Sequence, residues 1–281
     1  GAARWGRRMT ARALRLAVAA LALLAVAGHA APVSAPSLPV ATAFRAPLAA
    51  KAPLLAIARA GARLVAAGDF GIVLLSDDDG RTWRQAQSVA TQQMLTSLAF
   101  VDVQKGFAVG HGGTVLATAD GGETWTAVHD AGADNVLLSV RFLDAQRGFA
   151  VGAFGFAIAS DDGGRTWRTF VPGGGDDRDR HLNGVFAAHG ALFIAAEAGT
   201  VFRSMDFGST WTTLRLPYEG SLWGGLALDD GAVLVYGMRG HALRSTDLGK
   251  QWSDIPMRTT QSWAAALHSP GGEIVLVGLG G

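Results

Sequence analysis

The 281-residue chain carries 24 basic and 23 acidic residues, 38 glycines and no cysteine. So even a charge balance, with only 17% charged residues, argues against a nucleic-acid binder held by phosphate contacts. The missing cysteine excludes disulfides, thiol catalysis, iron–sulfur clusters and cysteine-ligated zinc, and a hydrophobic share of 49% excludes a mainly disordered chain.

Charge is unevenly distributed. Arg4, Arg7, Arg8, Arg12 and Arg15 precede the apolar run Leu16 to Ala27, then Gly28-His29-Ala30-Ala31, and the first acidic residue is Asp69. A basic start, a short apolar segment and small residues at its exit read as a secretory signal peptide, with Met9 as the start and Gly1–Arg8 as an upstream remnant. The run falls short of the roughly 20 apolar residues that span a bilayer, so an uncleaved anchor is the second reading. Taking these five arginines from 24 leaves 19 basic against 23 acidic residues. The expectation is a signal over residues 1–31 and an exported, mildly acidic protein, periplasmic or extracellular, with no stable membrane span. Residues 32–53 form an extension or linker that could also help close the fold, and residues 54–281 form the main domain.

From residue 76 a repeat organises the chain. Ser76-Asp77-Asp78-Asp79-Gly80-Arg81-Thr82-Trp83 returns as Thr118 to Trp125, Ser160 to Trp167, Ser204 to Trp211 and Ser245 to Trp252, with the consensus S/T-x-D-x-G-x-T-W. The tryptophans Trp83, Trp125, Trp167, Trp211 and Trp252 step by 42, 42, 44 and 41 residues. This motif reads as a hairpin turn. Asp78, Asp120, Asp162, Asp206 and Asp247 accept hydrogen bonds from backbone N–H groups in the turn, and the glycine takes the positive φ. The threonine opens the returning strand, and the tryptophan buries its ring between neighbouring units while its indole N–H finds a partner. Asp77-Asp78-Asp79 could be read as a calcium loop, but the later copies hold fewer acids, which favours the turn.

Upstream of each box lie short apolar runs: Leu95–Phe100, Gly106–Val109 and Thr114–Thr118, with a fourth starting at Trp125. Four strands per period of about 42 residues is the signature of a β-propeller blade, and blades must stack around an axis to bury both faces. The fold class is therefore all-β: five complete four-stranded blades and a partial sixth that begins at Trp263 and stops before its box. The reading is a C-terminally incomplete propeller with six or, more often, seven blades in the whole protein.

These boxes resemble the bacterial neuraminidase, or Asp-box, repeat. The fuller pattern F-x-D…G-F-A-V-G…G-x-V-L-x-T-x-D-G-G-x-T-W at Phe100–Trp125 and Phe142–Trp167 resembles the photosystem II stability/assembly factors. Phe107 and Phe149 stand where that family usually has tryptophan. The resemblance implies a non-catalytic propeller that helps build a membrane complex, binding a membrane protein or its assembly intermediate and acting as a monomer.

Asp boxes also occur in sialidases and other glycosidases, so an enzyme and a glycan-binding module are the alternatives. Phe44-Arg45-Ala46-Pro47 nearly matches the sialidase F/Y-R-I-P motif, and Tyr218 and Tyr236 are the available tyrosine nucleophiles. Arg203 and Arg244, beside their boxes, fit a blade flank better than an arginine triad. The seven histidines lack paired ligand spacing, and no phosphate loop precedes a helix, so neither metal nor cofactor is expected. Recognition is expected on the face opposite the boxes, through loops holding Asp69, Phe70, His111, Phe154, Glu197 and Arg239. The polar connection from Gly173 to His181 reads as a flexible loop or a lid, and Trp223 and Trp263 as packing between blades.

Overall fold

The computed structural model describes residues 41–269 and 271–279, so the signal peptide reading lies outside the described residues. Each period becomes one antiparallel sheet laid down in chain order from an inner to an outer strand. The second blade comprises Leu95–Phe100, Gly106–Gly110, Thr114–Thr118 and Thr124–Asp130, within one residue of the bounds read from the sequence. The first, third, fourth and fifth blades repeat this order, with inner strands Leu54–Ala60, Leu137–Phe142, Leu182–Ala188 and Leu222–Ala227. Ser88–Val89, on the path from the first blade to the second, adds a fifth strand in parallel to the second blade's outer edge. The sixth blade has two strands among the described residues, Trp263–His268 and Ile274–Gly278.

Inner strands of successive blades lie side by side in chain order. Leu55 of the first blade and Ala264 of the sixth border the same axial cavity, so the sheets circle a common centre, as a β-propeller does. Side chains tie neighbouring inner strands together. Thr96 Oγ1 donates to the Leu137 carbonyl at 2.6 Å, Ser139 Oγ accepts from Val185 N at 3.1 Å, and Asn183 Nδ2 donates to the Leu222 carbonyl at 2.9 Å.

The core lies between blades. Phe107, Val109 and Val115 of the second blade pack against Leu137, Val140 and Ile158 of the third, and Phe107 stacks on Phe142 at 4.2 Å. Val275 and Val277, at the positions of Phe107 and Val109, are exposed, as is Ile57 at the position of buried Val140. The facing sides of the sixth and first blades are thus uncovered among the described residues. The segment over residues 41–53 contains one short 3-10 turn, Ala49–Lys51, and contributes no strand. Instead, Ala46, Ala49 and Ala52 cover the outer flank of the first blade against Ile72, Leu74 and Trp83.

The box is a closed hydrogen-bonded clasp. In the third blade, Ser160 Oγ accepts the Gly164 N–H at 2.8 Å and donates to Asp162 Oδ1 at 2.9 Å. Asp162 then accepts from Thr166 N at 2.9 Å and from Thr166 Oγ1 at 2.6 Å, while Trp167 Nε1 donates to the Gly164 carbonyl at 3.2 Å. The threonine is therefore a clasp partner first. Only in the second blade does it also open the outer strand, which elsewhere begins at Arg84, Arg168, Thr212 or Ser253. Two successive residues run left-handed in each turn, so Asp79, Phe207 and Leu248 carry φ near +57° ahead of the box glycine. In the fifth box Gln251 supplies only its backbone N–H, at 2.9 Å from Asp247. Trp125 is buried between the first two blades, whereas Trp211 stacks on Phe170 at 5.5 Å and its buried Nε1 finds no acceptor among the described residues.

The three acids of the first box have separate partners. Asp78 closes the clasp, and Asp79 lies 3.6 Å from Arg59. Asp77 accepts from Arg63 at 2.6 Å, and Arg63 also reaches Glu123 at 3.0 Å, pinning the second box against the first blade.

Hydrogen bonds from threonine and serine hold the Asp78, Asp162 and Asp206 carboxyls down to about 2. Unfolded aspartate titrates near about 4, so the clasps stabilise the fold fully above that pH and lose their contribution as pH falls toward 2. Thermal melting across this window is expected to show stability dropping with acid, and Asp162→Asn to flatten the drop. Trp125→Ala is expected to lower the unfolding free energy by about 3–5 kcal/mol in urea titrations, and half-buried Trp83→Ala by less.

Candidate functional site

Antiparallel order puts the boxes at one end of the ring and the loops between second and third strands at the other. These loops share a construction. The second strand ends at Gly68, Gly110, Gly152, Ala196 or Gly237, and the next residues form a three-residue turn with its last two left-handed. The third turn residue is glycine because the returning chain crosses it. A Cβ on Gly155 would lie 1.7 Å from the Arg178 carbonyl oxygen, and one on Gly199 1.6 Å from that of Tyr218.

The middle residue points outward, and here the blades differ: Phe70, Gly112, Phe154, Ala198 and Arg239. Left-handed backbone costs an L-residue roughly 1–2 kcal/mol, and bulky side chains rarely adopt it. Yet Phe70 and Phe154 adopt it with φ of 55° and 53° while 60% and 73% exposed. Phe207 is equally left-handed and 53% exposed, but its backbone belongs to the fourth clasp and its ring lies under the Arg147 guanidinium at 4.0 Å. Phe70 and Phe154 sit in no clasp, and strained backbone that holds a ring in water there marks a functional position more than a packing one.

The other candidates take different parts. Asp69 Oδ1 accepts the Phe70 N–H at 2.9 Å, and Glu197 Oε1 accepts the His181 N–H at 2.7 Å, so both carboxylates brace loops. The His181 ring lies 4.6 Å from that of Phe154. His111 turns toward the axial cavity. Arg239 is exposed beside Ser262, whose hydroxyl accepts its N–H at 3.2 Å. The six residues thus share a rim, distributed over five blades, and do not converge on one point.

The connection from Gly173 to His181 is built in place. Asp177, 9% exposed, accepts from Arg180 at 2.7 Å and Arg215 at 2.5 Å, and the Arg180 carbonyl accepts the Gly155 N–H at 2.8 Å. Burial raises the Asp177 carboxyl, but hydrogen bonds from Arg215 and Arg180 outweigh it and hold the group below its ordinary range. The loop is therefore an anchored strap over the third and fourth blades.

The sialidase constellation is not assembled. Arg45 donates to the Gln87 carbonyl at 3.3 Å on the outer flank of the first blade, while Tyr236 borders the axial cavity. Tyr218, on the connection from the fourth blade to the fifth, donates to the Met238 carbonyl at 2.9 Å. Arg203 reaches the Leu248 carbonyl at 2.6 Å and Arg244 pairs with Asp230, both on blade flanks.

One tryptophan departs from its expected place. Trp263 packs between the fifth and sixth blades, but Trp223 is 45% exposed and lines the axial cavity with Phe186 and Tyr236. Its period position, shared with Thr96 and Asn183, was visible in the sequence; the axial direction of that position was not.

A family model described as photosynthesis system II assembly factor YCF48 matches residues 123–278, more than half of the chain. The chain belongs to that family. The YCF48 match begins at Glu123, near the end of the second box, and takes in the four blades that follow, so the strained rim residues Phe154 and Arg239 fall inside it. Among solved structures, YCF48 bound to D1 peptide is similar with a TM-score of 0.63 and 16% identity, over 81% of this chain and 76% of that one. An ancestral GH74 enzyme is similar with a TM-score of 0.69 and 13% identity, over 81% of this chain and 35% of that one. At such identities both likenesses concern the fold. No curated protein matches the chain.

Exchanging Phe70 for glycine is expected to relieve its backbone, raising the unfolding free energy by about 0.5–1 kcal/mol in urea titrations. A decrease would mean that the ring stabilises the fold.

Proposed function

We propose that this YCF48-family chain is an exported, non-catalytic scaffold that holds an extended segment of a membrane-protein partner across the rim opposite its boxes. The observation that carries this reading is the pair of exposed, left-handed phenylalanines, Phe70 and Phe154, presented by loops of a rigid ring. Aromatic anchors with an arginine nearby make up the residue types that dominate protein contacts, and Arg239 stands on the same rim.

Two further observations support it. A structural relative is YCF48 bound to D1 peptide, which makes a photosystem II assembly intermediate the first partner to test. The basic, then apolar leader supports export, with the domain working beside a membrane in the periplasm or outside the cell. No helix among the described residues is long and apolar enough to cross a membrane. The separation of Arg45 from Tyr236 and Tyr218 argues against sialidase chemistry, and the scaffold reading needs neither metal nor cofactor.

The test is capture of D1 peptide, and of membrane proteins from periplasm and membrane extracts, on immobilised protein. Combined Phe70→Ala, Phe154→Ala and Arg239→Ala is expected to weaken capture at least about tenfold, equivalent to about 1.4 kcal/mol. Box-face Arg165→Ala should leave it unchanged. Equal recovery by the triple variant would remove the rim from consideration, and Arg45-dependent hydrolysis of glycosides would replace the scaffold by an enzyme.

A further inference from the structure

We propose that the axial cavity is a second recognition site, taking one uncharged aromatic side chain of the partner's peptide against Trp223; the inference rests on the protein-binding reading above and deepens it. The first support is a repeated irregularity. In all six inner strands the pairing register slips after the first residue, leaving Leu55, Thr96, Leu138, Asn183, Trp223 and Ala264 as the extra, bulged residue. All six line the axial cavity. A bulge re-aims a side chain, and here each blade uses one to point a single residue at the axis.

The second support is the cavity's chemistry. Its volume is about 510 Å³, within the range of pockets that hold small-molecule-sized groups. Trp223, Phe186 and Tyr236 form an aromatic wall on the fourth and fifth blades. Glycines make room for it: a Cβ on Gly225 would meet the Phe186 ring at 2.4 Å, and one on Gly224 the Tyr236 hydroxyl at 2.5 Å. Among the described residues no Asp, Glu, Lys or Arg lines the cavity, so a charged occupant would lose its hydration without a counter-charge.

Polar capacity is small and partly used. Thr96, Ser139 and Asn183 Nδ2 already bond to neighbouring strands. The Asn183 amide oxygen and the His111 ring have no hydrogen-bond partner among the described residues. That suits the single donor of a phenol or indole and would leave most hydroxyls of a sugar unpaired. Met94 and His111, where the second blade meets the rim, border the cavity and place its mouth on the proposed contact face.

The experiment is fluorine NMR on protein labelled with fluorotryptophan, the Trp223 signal being the one that Trp223→Phe removes. Probes are the peptides Gly-Ser-Tyr-Ser-Gly and Gly-Ser-Glu-Ser-Gly, free N-acetyltyrosinamide, and a cello-oligosaccharide. The tyrosine peptide is expected to shift that signal saturably and the glutamate peptide to bind at least about tenfold more weakly. Ala264→Phe, which fills the cavity, should abolish the shift while the other tryptophan signals keep their wild-type positions. No saturable shift, equal shifts from both peptides, a shift that persists in Ala264→Phe, a response to the free amide without the peptide, or a response to the oligosaccharide alone would each overturn the proposal. The readout needs no natural partner, so a silent Trp223 with rim-dependent capture sinks the cavity alone. A responsive Trp223 with rim-independent capture sinks the rim.

Discussion

A hairpin whose two central residues are both left-handed leaves backbone N–H groups without partners, and the ring rests on how that deficit is met. In each of the five boxed blades a buried hydroxyl and an aspartate meet it together, as where Ser160 takes the Gly164 N–H and Asp162 takes Thr166. Once closed, the turn fixes where the box tryptophan begins, and the ring can settle against the neighbouring sheet. Blade-to-blade packing therefore inherits its geometry from a few hydrogen bonds at the turn. This explains how Phe207 and Leu248 are tolerated where glycine would be easier: the clasp holds the backbone whatever side chain it carries.

The clasp end and the rim end of the molecule use similar backbone for opposite purposes. At the clasp end, left-handed residues are over-determined by hydrogen bonds and by ion pairs such as Arg63 with Asp77 and Glu123. At the rim, the left-handed Phe70 and Phe154 show their rings to solvent, and the nearby carboxylates of Asp69 and Glu197 are occupied in bracing loops. Rigidity comes from the first end, and the contact proposed above from the second. A scaffold that grips an extended segment benefits from that division, because ordering costs at the rim are met before the partner arrives.

The axis joins the two ideas. Each of the six inner strands carries a bulge, and these bulges expose one residue per blade to the cavity. The other five of these residues are small or aliphatic or make ties between blades, while Trp223 remains largely without a packing role. Chemistry on a propeller of this kind arises from what the repeat leaves free rather than from the repeat.

Periodicity of the boxes determined much on its own: the all-β class, the strand order, the blade boundaries and the corner role of Asp162 and Trp125 followed from local hydrogen-bonding and burial demands that recur every 42 residues or so. The charge asymmetry was equally plain in the chain. The part played by the serine or threonine hydroxyl that anchors each clasp, and the second left-handed residue, escaped that reading, because they depend on turn closure. Only tertiary structure decided that Glu197 and Asp177 are braces, that Arg45 lies apart from the tyrosines, and that Trp223 faces the axis. The physical reason is that a bulge shifts a side chain's direction without changing the hydrophobic pattern, and a contact between blades joins residues some forty positions apart.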